Sequence, residues 1–281
     1  MFKNCSSIPF IGSKWKYRNK LYEILKNNNF DFNKEYLIYD IFGGSGALSL
    51  IFKCMCPNSK IVFNGYDEII TDKQGNNKID ISINKSNRII NEIKNNIDLN
   101  KQKPKNKIIE SSKVQEVLNK YSDDIKNDRM IKKFIQSQIC FNGRPIKDNQ
   151  NEYWNKFRKS DIPLYFKNFE NIEIIHKDFE EVFKDITQFN NQNNVIILLD
   201  PPYLNTDCKD CYKLEYWKFN KYLKILTEIS FHNNYKYLFF EGNESCLTDI
   251  LEFISNLTNN QNLKHIKHYK LSEKEYVKLI Y

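Results

Sequence analysis

The chain has 281 residues, enough to bury a large core, and its hydrophobic (41%) and charged (28%) fractions are typical of a globular protein. It contains no apolar run of about 18 residues or more, so no membrane-spanning helix is expected. An odd number of cysteines (7) without an apolar leader argues against a secreted disulfide framework, so we expect a cytoplasmic protein. The formal net charge of +8 favours a polyanionic partner.

The first predicted strand, at 36–42, ends in the glycine-rich loop Gly43-Gly44-Ser45-Gly46. Apolar side chains with helical spacing follow at 47–55, and a second predicted strand at 61–67 ends in Asp67. Glycine is scarce elsewhere in the chain, so the loop needs conformational freedom or close approach to a ligand. An acid about 20 residues after such a loop can accept hydrogen bonds from both ribose hydroxyls. This pattern predicts a nucleoside cofactor, either a dinucleotide or S-adenosylmethionine.

The composition changes at 72–168, which is polar and lysine-rich, with amphipathic helical segments predicted at 88–97 and 113–121. The change predicts an inserted, largely helical lobe, and residues 1–71 and 169–281 then form the catalytic domain. Within the lobe, Phe141-Asn142-Gly143-Arg144 contains Asn-Gly, which is a hairpin-turn signal.

Alternating strands and helices return in the second half of the chain. Four strands are predicted there, at 171–178, 195–200, 235–243 and 276–281. The second is continuously apolar, as expected of a central parallel strand, a helix is predicted at 214–232, and the last strand is expected at an edge of the sheet. The alternation predicts an α/β fold with a mostly parallel, Rossmann-like sheet. In such a sheet the glycine loop, Asp67, Asp178 and Asp200 all lie beyond the carboxyl ends of strands, at one rim.

The segment Asp200-Pro201-Pro202-Tyr203 follows the most apolar of these strands. Its two prolines fix the backbone φ angle and remove two N–H donors, which leaves the carbonyl groups in a rigid arrangement. A carboxylate and a proline carbonyl can together accept hydrogen bonds from an exocyclic amine, whose lone pair then faces an incoming methyl group. The ring of Tyr203 offers a face on which a base can stack. The segment is therefore predicted to hold the amine of a base for methylation.

Five segments occur in an order that resembles the Dam-like (DPPY, group alpha) DNA adenine methyltransferases. They are 9–14, 40–46, 66–67, 178–179 and 200–203. The resemblance implies an S-adenosylmethionine methyltransferase in which Asp67 binds the ribose, Asp178 binds the amine of the cofactor's adenine and Lys14 binds its methionine carboxylate. The cofactor-binding residues that it implies are Phe10, Gly12, Lys14, Phe42, Gly43, Gly44, Gly46, Asp67, Asp178 and Phe179. Phe10 stands where the family usually has tryptophan and Ser13 where it has a second glycine.

The same resemblance implies that the target is the N6 amine of an adenine flipped out of double-stranded DNA, and that the inserted lobe recognises the DNA. The segment around Phe141, Asn142 and Arg144 is similar to the one with which these enzymes probe DNA, so these residues are expected to contact DNA. The basic residues of the lobe are candidate phosphate contacts: Lys132, Lys133, Lys147, Lys156, Arg158 and Lys159. We expect a monomer or weak dimer. No metal is expected, because the cysteine pair at 54/56 lacks the spacing of a zinc site and no histidine accompanies either this pair or the pair at 208/211.

Other activities are compatible with these residues. The amine of cytosine or a base in RNA would present a similar target atom, and a catalytically silent DNA-binding member of the family would share most of the motifs. A nicotinamide-dependent oxidoreductase would explain the glycine loop but would leave residues 200–203 without a role. The sequence contains no signal for the DNA sequence recognised or for a partner restriction nuclease.

Overall fold

The computed structural model describes residues 13–65, 78–96, 111–128, 130–132, 134–135, 171–188, 194–203, 219–232, 234–242, 250, 253–254, 256 and 266–280. The strands are β1 (Leu37–Asp40), β2 (Lys60–Asn64), β3 (Ile172–Ile175), β4 (Val195–Leu199), β5 (Lys236–Gly242), β6 (Ile266–Lys270) and β7 (Glu275–Ile280). A short 3-10 helix (Lys14–Tyr17) precedes the helices α1 (Arg18–Asn27), α2 (Ala47–Met55), α3 (Ile79–Asn96), α4 (Ser111–Lys120), α5 (Ser122–Asn127), α6 (Phe179–Gln188) and α7 (Phe219–Phe231).

The strands form one seven-stranded sheet in the order β3-β2-β1-β4-β5-β7-β6. Strands β1 to β5 are parallel to one another, whereas β7 runs antiparallel to both β5 and β6. The strand order reverses between β1 and β4, and in open α/β sheets ligands bind beyond the carboxyl ends of the strands at such a switch point. The rim is the name used below for one edge of the sheet. It consists of the residues that end β1 to β5 or directly follow them, together with Glu275 of the antiparallel β7.

Apolar side chains cover both faces of the sheet. Because successive side chains of a strand point to opposite faces, the five buried residues of β4 supply both layers. Ile196 and Leu198 pack in a cluster with α1 and α2, whereas Ile197 and Leu199 pack in a cluster with α6 and α7. Each such side chain stabilises the fold by about 1.5–3 kcal/mol when fully buried. The sheet is thus a rigid platform beneath the rim.

Most predicted elements of the catalytic domain are confirmed. Strands occur within the predicted ranges 36–42, 171–178, 195–200 and 235–243, and α2 spans the predicted helix. The strand predicted at 61–67 is observed as β2, with residues 66–67 outside the described residues. Helix α7 lies within the range 214–232, of which residues 214–218 are also outside the described residues.

The prediction that the last strand is an edge strand is wrong. Strand β7 lies between β5 and β6, and four of its residues, 277–280, are buried. Among them is Lys278, a buried charged residue whose ammonium pairs with Glu241 of β5. The edge is β6, which the sequence analysis does not predict because its side chains are mostly polar and exposed.

Three helices, α3 to α5, lie in the range predicted to be an inserted lobe. Helix α3 is longer than its predicted core at 88–97, and it has two apolar faces. Ile89 and Ile93 pack with residues of α4 in a separate apolar cluster, whereas Ile83 and Ile90 pack against the main core. Both predicted boundaries of the lobe lie outside the described residues, so the division into domains stays a prediction.

The mixed α/β architecture and the mostly parallel seven-stranded sheet are consistent with a Rossmann-like methyltransferase fold. Among the helices that the structure describes, none combines the length and the apolar character needed to cross a membrane. In a sheet of this order ligands bind at the rim, where the sequence predicts the candidate site residues.

Candidate active site

The glycine loop turns sharply between β1 and α2. Gly44 and Gly46 have φ angles of 49° and 70°, a conformation that glycine adopts without steric cost. Gly43 needs to be glycine for a different reason: an added Cβ would overlap the ring of Phe63. The N–H of Gly46 donates to the carbonyl of Gly43 at 2.7 Å, which closes the turn. The loop is therefore held in one shape at the start of α2.

Asp40, the last residue of β1, lies beneath this loop and is 1% exposed. Its Oδ2 accepts hydrogen bonds from the backbone N–H of Ser49 at 3.1 Å and from the Ser49 hydroxyl at 2.7 Å. Its Oδ1 is buried and has no hydrogen-bond partner in the part of the chain that the structure describes. Burial raises the pKa of Asp40 to about 7; the Ser49 hydroxyl opposes this rise and the nearby Asp200 adds to it.

Asp178 and Phe179 begin α6 after β3. The Oδ1 atom of Asp178 accepts from the backbone N–H of Glu180 at 3.0 Å, and the Glu181 carboxylate accepts from the N–H of Asp178 at 3.3 Å, so the pair caps the helix reciprocally. Phe179 is buried, and its ring centroid lies 5.6 Å from that of Phe42 beside the glycine loop. The structure therefore brings together two of the predicted cofactor segments.

Asp200 follows the central strand β4 and pairs with a buried lysine. The ammonium of Lys14 lies 2.8 Å from Asp200 Oδ2 and 3.8 Å from Glu275 Oε1, and its side chain is 3% exposed. It also lies 5.4 Å from the ring centroid of Tyr203. Burial raises the pKa of Asp200, and Lys14 counteracts this rise. The resemblance implied that Lys14 binds the methionine carboxylate, whereas here its ammonium is engaged by Asp200.

Tyr222 and Gly242, from two neighbouring elements, contact the segment 200–203. The hydroxyl of Tyr222, in α7, donates to the carbonyl of Pro202 at 2.9 Å in a buried environment. The ring of Tyr203 packs against Gly242 at the end of β5, where an added Cβ would lie 3.2 Å from the ring. The backbone of Pro202 and the ring of Tyr203 are thus both held by neighbouring elements.

The structure places one group of predicted site residues together at the rim: Lys14, Phe42, Gly43, Gly44, Gly46, Asp178, Phe179, Asp200, Pro201, Pro202 and Tyr203. The remaining predicted site residues lie outside the described residues: Phe10, Gly12, Asp67, Phe141, Asn142, Arg144, Lys147 and Arg158. Of the additional lysines proposed to contact phosphate, Lys132 is described and is exposed. Four residues that hold the site in place were not predicted from the sequence: Asn64, Tyr222, Gly242 and Glu275.

Comparison with known proteins gives one similarity that covers nearly the whole chain. Over 270 residues the chain is 29% identical to a Haemophilus influenzae protein described as "Putative methyltransferase", and the alignment covers 94% of this chain and 84% of that protein. No protein-family model matches the chain. The similarity supports methyl transfer as the general activity, in agreement with the sheet order.

Proposed function

We propose that the protein transfers a methyl group from S-adenosylmethionine to the N6 amine of an adenine in double-stranded DNA, as the Dam-like methyltransferases do. The observation that carries the proposal is the position of the segment 200–203. It follows the central strand β4, next to the glycine loop that follows β1 at the switch point of the sheet. A cofactor bound over the loop would lie beside the amine acceptors.

The charges at the rim support a cationic cofactor. Asp40 and Asp200 end or follow neighbouring strands, and they are close enough that Asp200 raises the pKa of Asp40. Lys14 offsets the charge of Asp200, and Asp40, whose pKa is about 7, is only partly ionised near neutral pH, so the net negative charge at this position is small. What remains favours the ammonium and sulfonium groups of S-adenosylmethionine over the pyrophosphate of a nicotinamide dinucleotide. The buried Oδ1 of Asp40, which has no hydrogen-bond partner among the described residues, is an acceptor for such an ammonium group. Phe42 and Phe179 offer adjacent aromatic surfaces for the cofactor's adenine.

Each residue of the segment 200–203 that contacts the base has its own role in the proposed reaction. S-adenosylmethionine supplies an activated methyl group, so the protein's task is to orient the amine and stabilise the charge that develops on it. Asp200 and the carbonyl of Pro201 accept the two amine hydrogens, and Tyr203 stacks on the base. Lys14 favours the ionised form of Asp200 despite its burial, because the ammonium lies 2.8 Å from the carboxylate.

DNA as the substrate is supported by the excess of basic residues and by the family resemblance. The formal net charge of +8 favours a polyanion, and the target amine of a duplex is reached only when the base is flipped out. We assign the DNA contacts to Phe141, Asn142, Arg144, Lys147 and Arg158. We further propose that the enzyme acts in the cytoplasm as a monomer or weak dimer.

Transfer of a tritiated methyl group tests this proposal. The wild-type protein is incubated with labelled S-adenosylmethionine and either double-stranded DNA or RNA of the same sequence, and label in the polymer is counted. We expect label in DNA from the wild type and none from Tyr203→Ala, although calorimetry still detects cofactor binding by that variant. Phe231→Ala is the control, because Phe231 is 75% exposed at the opposite end of α7 from Tyr222. Label only in RNA, or binding of NAD instead of S-adenosylmethionine, would contradict the proposal.

A further inference from the structure

Asn64 is a buried polar residue at the carboxyl end of β2, and it is 2% exposed. Its Nδ2 donates to the carbonyl of Ile41 at 3.1 Å and to the carbonyl of Lys177 at 2.8 Å. Its Oδ1 accepts from the backbone N–H of Lys177 at 3.0 Å. The orientation of the carboxamide is fixed, because carbonyl groups can only accept hydrogen bonds and the N–H group can only donate one.

These hydrogen bonds lie where the regular pairing of the strands ends. The last paired residues are Asp40 with Phe63 in β1–β2 and Asn64 with Ile175 in β2–β3. Beyond these pairs, the N–H of Gly65 still donates to the carbonyl of Ile175 at 2.8 Å, and His176 Nδ1 lies 3.1 Å from the carbonyl of Gly65, so β2 and β3 stay joined for one more residue. The Asn64 side chain extends this connection to Lys177 and also joins β2 to Ile41, the residue after β1. A buried amide that bonds to two other chain segments restricts the distance between them.

Each segment that Asn64 holds leads directly into a predicted cofactor segment. Ile41 precedes Phe42 and the glycine loop, and Lys177 precedes Asp178 and Phe179. The two rings that follow, Phe42 and Phe179, lie 5.6 Å apart. One side chain therefore sets the spacing between the loop and the start of α6.

We propose that Asn64 is a positioning residue for cofactor binding: it keeps the glycine loop and the Asp178-Phe179 segment at the separation that one nucleoside cofactor requires. This inference rests on the proposed function, because it takes both segments to bind the same cofactor. Asn64 itself does not touch the cofactor in this account. Its substitution should weaken binding by altering the relative position of two segments that are otherwise intact.

The test compares substitutions at the two ends of β2. Asn64→Asp keeps the shape of the side chain and the acceptor for the N–H of Lys177, but it replaces the donating Nδ2 with a charged oxygen that faces two carbonyl groups. Asn64→Ser introduces no charge and is expected to have a smaller effect. Ser59→Ala is the matched control, since Ser59 is 4% exposed just before β2 and accepts from the N–H of Tyr36 at 3.1 Å. Calorimetry measures the Kd for S-adenosylmethionine, and thermal unfolding measures Tm. Hydrogen exchange of the ligand-free proteins reports on residues 41–46 and 176–180.

We expect the Kd of Asn64→Asp to rise by about tenfold or more and that of Asn64→Ser to rise by less. The Kd of Ser59→Ala should rise by no more than about twofold, although its loss of Tm is similar to that of the Asn64 variants. Amide exchange should accelerate in both segments in the Asn64 variants and in neither segment of Ser59→Ala. If the wild type does not bind S-adenosylmethionine, the proposed function fails. If the wild type binds but the Asn64 variants bind within about twofold of it, only this inference is wrong. It is also wrong if neither Asn64 variant folds, since Asn64 would then be a general stabiliser of the sheet.

Discussion

The two halves of the rim are held by different kinds of interaction. In the cofactor half, beyond β1, β2 and β3, hydrogen bonds from the neutral carboxamide of Asn64 join the segments, and Asp178 and Glu181 cap the start of α6. In the amine half, beyond β4 and at the paired ends of β5 and β7, buried charges join them. These are the contacts of Lys14 with Asp200 and Glu275, and the pair formed by Glu241 and Lys278.

The difference predicts how each half responds to substitution. A neutral hydrogen bond contributes about 0.5–1.5 kcal/mol and is insensitive to pH, so changes at Asn64 should alter mainly affinity. Removing one partner of a buried ion pair leaves the other charge uncompensated, which costs about 3–5 kcal/mol in fully buried cases. Changes in the amine half should therefore reduce both stability and transfer, and they should alter the pH dependence.

The largest effect is expected for Asp200→Ala. We expect methyl transfer to fall by about 100-fold or more, because the main acceptor for the amine is lost, while the Kd for S-adenosylmethionine changes little. Tm should also fall, because the buried Lys14 loses the carboxylate that lies 2.8 Å away, whereas Glu275 lies farther from it, at 3.8 Å. Asp124→Ala, which removes an exposed pair with Lys85 in the helical region, serves as the control for loss of a carboxylate. A variant that retains full transfer would overturn the role given to Asp200.

A smaller effect on transfer is expected for Lys14→Met, roughly tenfold near neutral pH. Lys14 lowers the pKa of Asp200, so its removal should raise that pKa further. If the ionised carboxylate is the acceptor, the acidic limb of the pH–rate profile then moves to higher pH. An unmoved limb together with a higher Kd for S-adenosylmethionine would favour the role implied by the resemblance, in which Lys14 binds the methionine carboxylate.

Asp40 ends β1, beside β4, where the two halves of the rim meet. Its substitution should change how the free energy of unfolding depends on pH. Its pKa of about 7 in the folded protein exceeds the ordinary 3.8, so the folded state binds a proton that the unfolded chain does not bind between these values. The free energy of unfolding should therefore rise as the pH falls from 8 to 5, by about 1–3 kcal/mol from this group. Asp40→Asn keeps an acceptor for Ser49 but should lack this rise. Denaturant unfolding at several pH values measures the free energy of unfolding of the wild type and of Asp40→Asn. If the two proteins show the same dependence on pH, Asp40 does not contribute the expected rise.

The smallest effect is expected for Tyr222→Phe, which removes only the hydroxyl that bonds to Pro202. Stability should fall by about 1 kcal/mol and the transfer rate by a few-fold, with the Kd for S-adenosylmethionine unchanged. Tyr237→Phe removes a comparable hydrogen bond, to the carbonyl of His232 at 2.9 Å, away from the rim. If both variants lose stability and neither loses rate, Tyr222 stabilises the fold without positioning the catalytic segment.

The sequence predicts the central elements of the sheet because local patterns specify them. The apolar run of β4 and the glycines after β1 are compatible with few alternative structures. The helical spacing of the apolar residues at 47–55 predicted both ends of α2. Strand β6 could not be predicted in this way, since an exposed edge strand lacks the apolar alternation. The interior position of β7 depends on pairing with β5 and β6, which the pattern of one strand does not contain.

The candidate site was predictable where chemistry is concentrated in a short segment, as in the glycine loop and residues 200–203. The residues that support it come from distant parts of the chain. Glu275 approaches Lys14 only after β7 has joined the sheet, and Tyr222 approaches Pro202 from α7. Asn64 carried one usable signal, because a polar residue in an otherwise apolar strand needs a hydrogen-bond partner when it is buried.

The identity of the methylated nucleoside tests the central claim most directly. DNA is incubated with the protein and S-adenosylmethionine that carries a labelled methyl group, then digested to nucleosides and analysed by mass spectrometry. We predict that the label appears as N6-methyldeoxyadenosine and that Asp200→Ala produces none. Label on the amine of deoxycytidine, or equal labelling by Asp200→Ala, would contradict the account of how Asp200, Pro201 and Tyr203 hold an adenine.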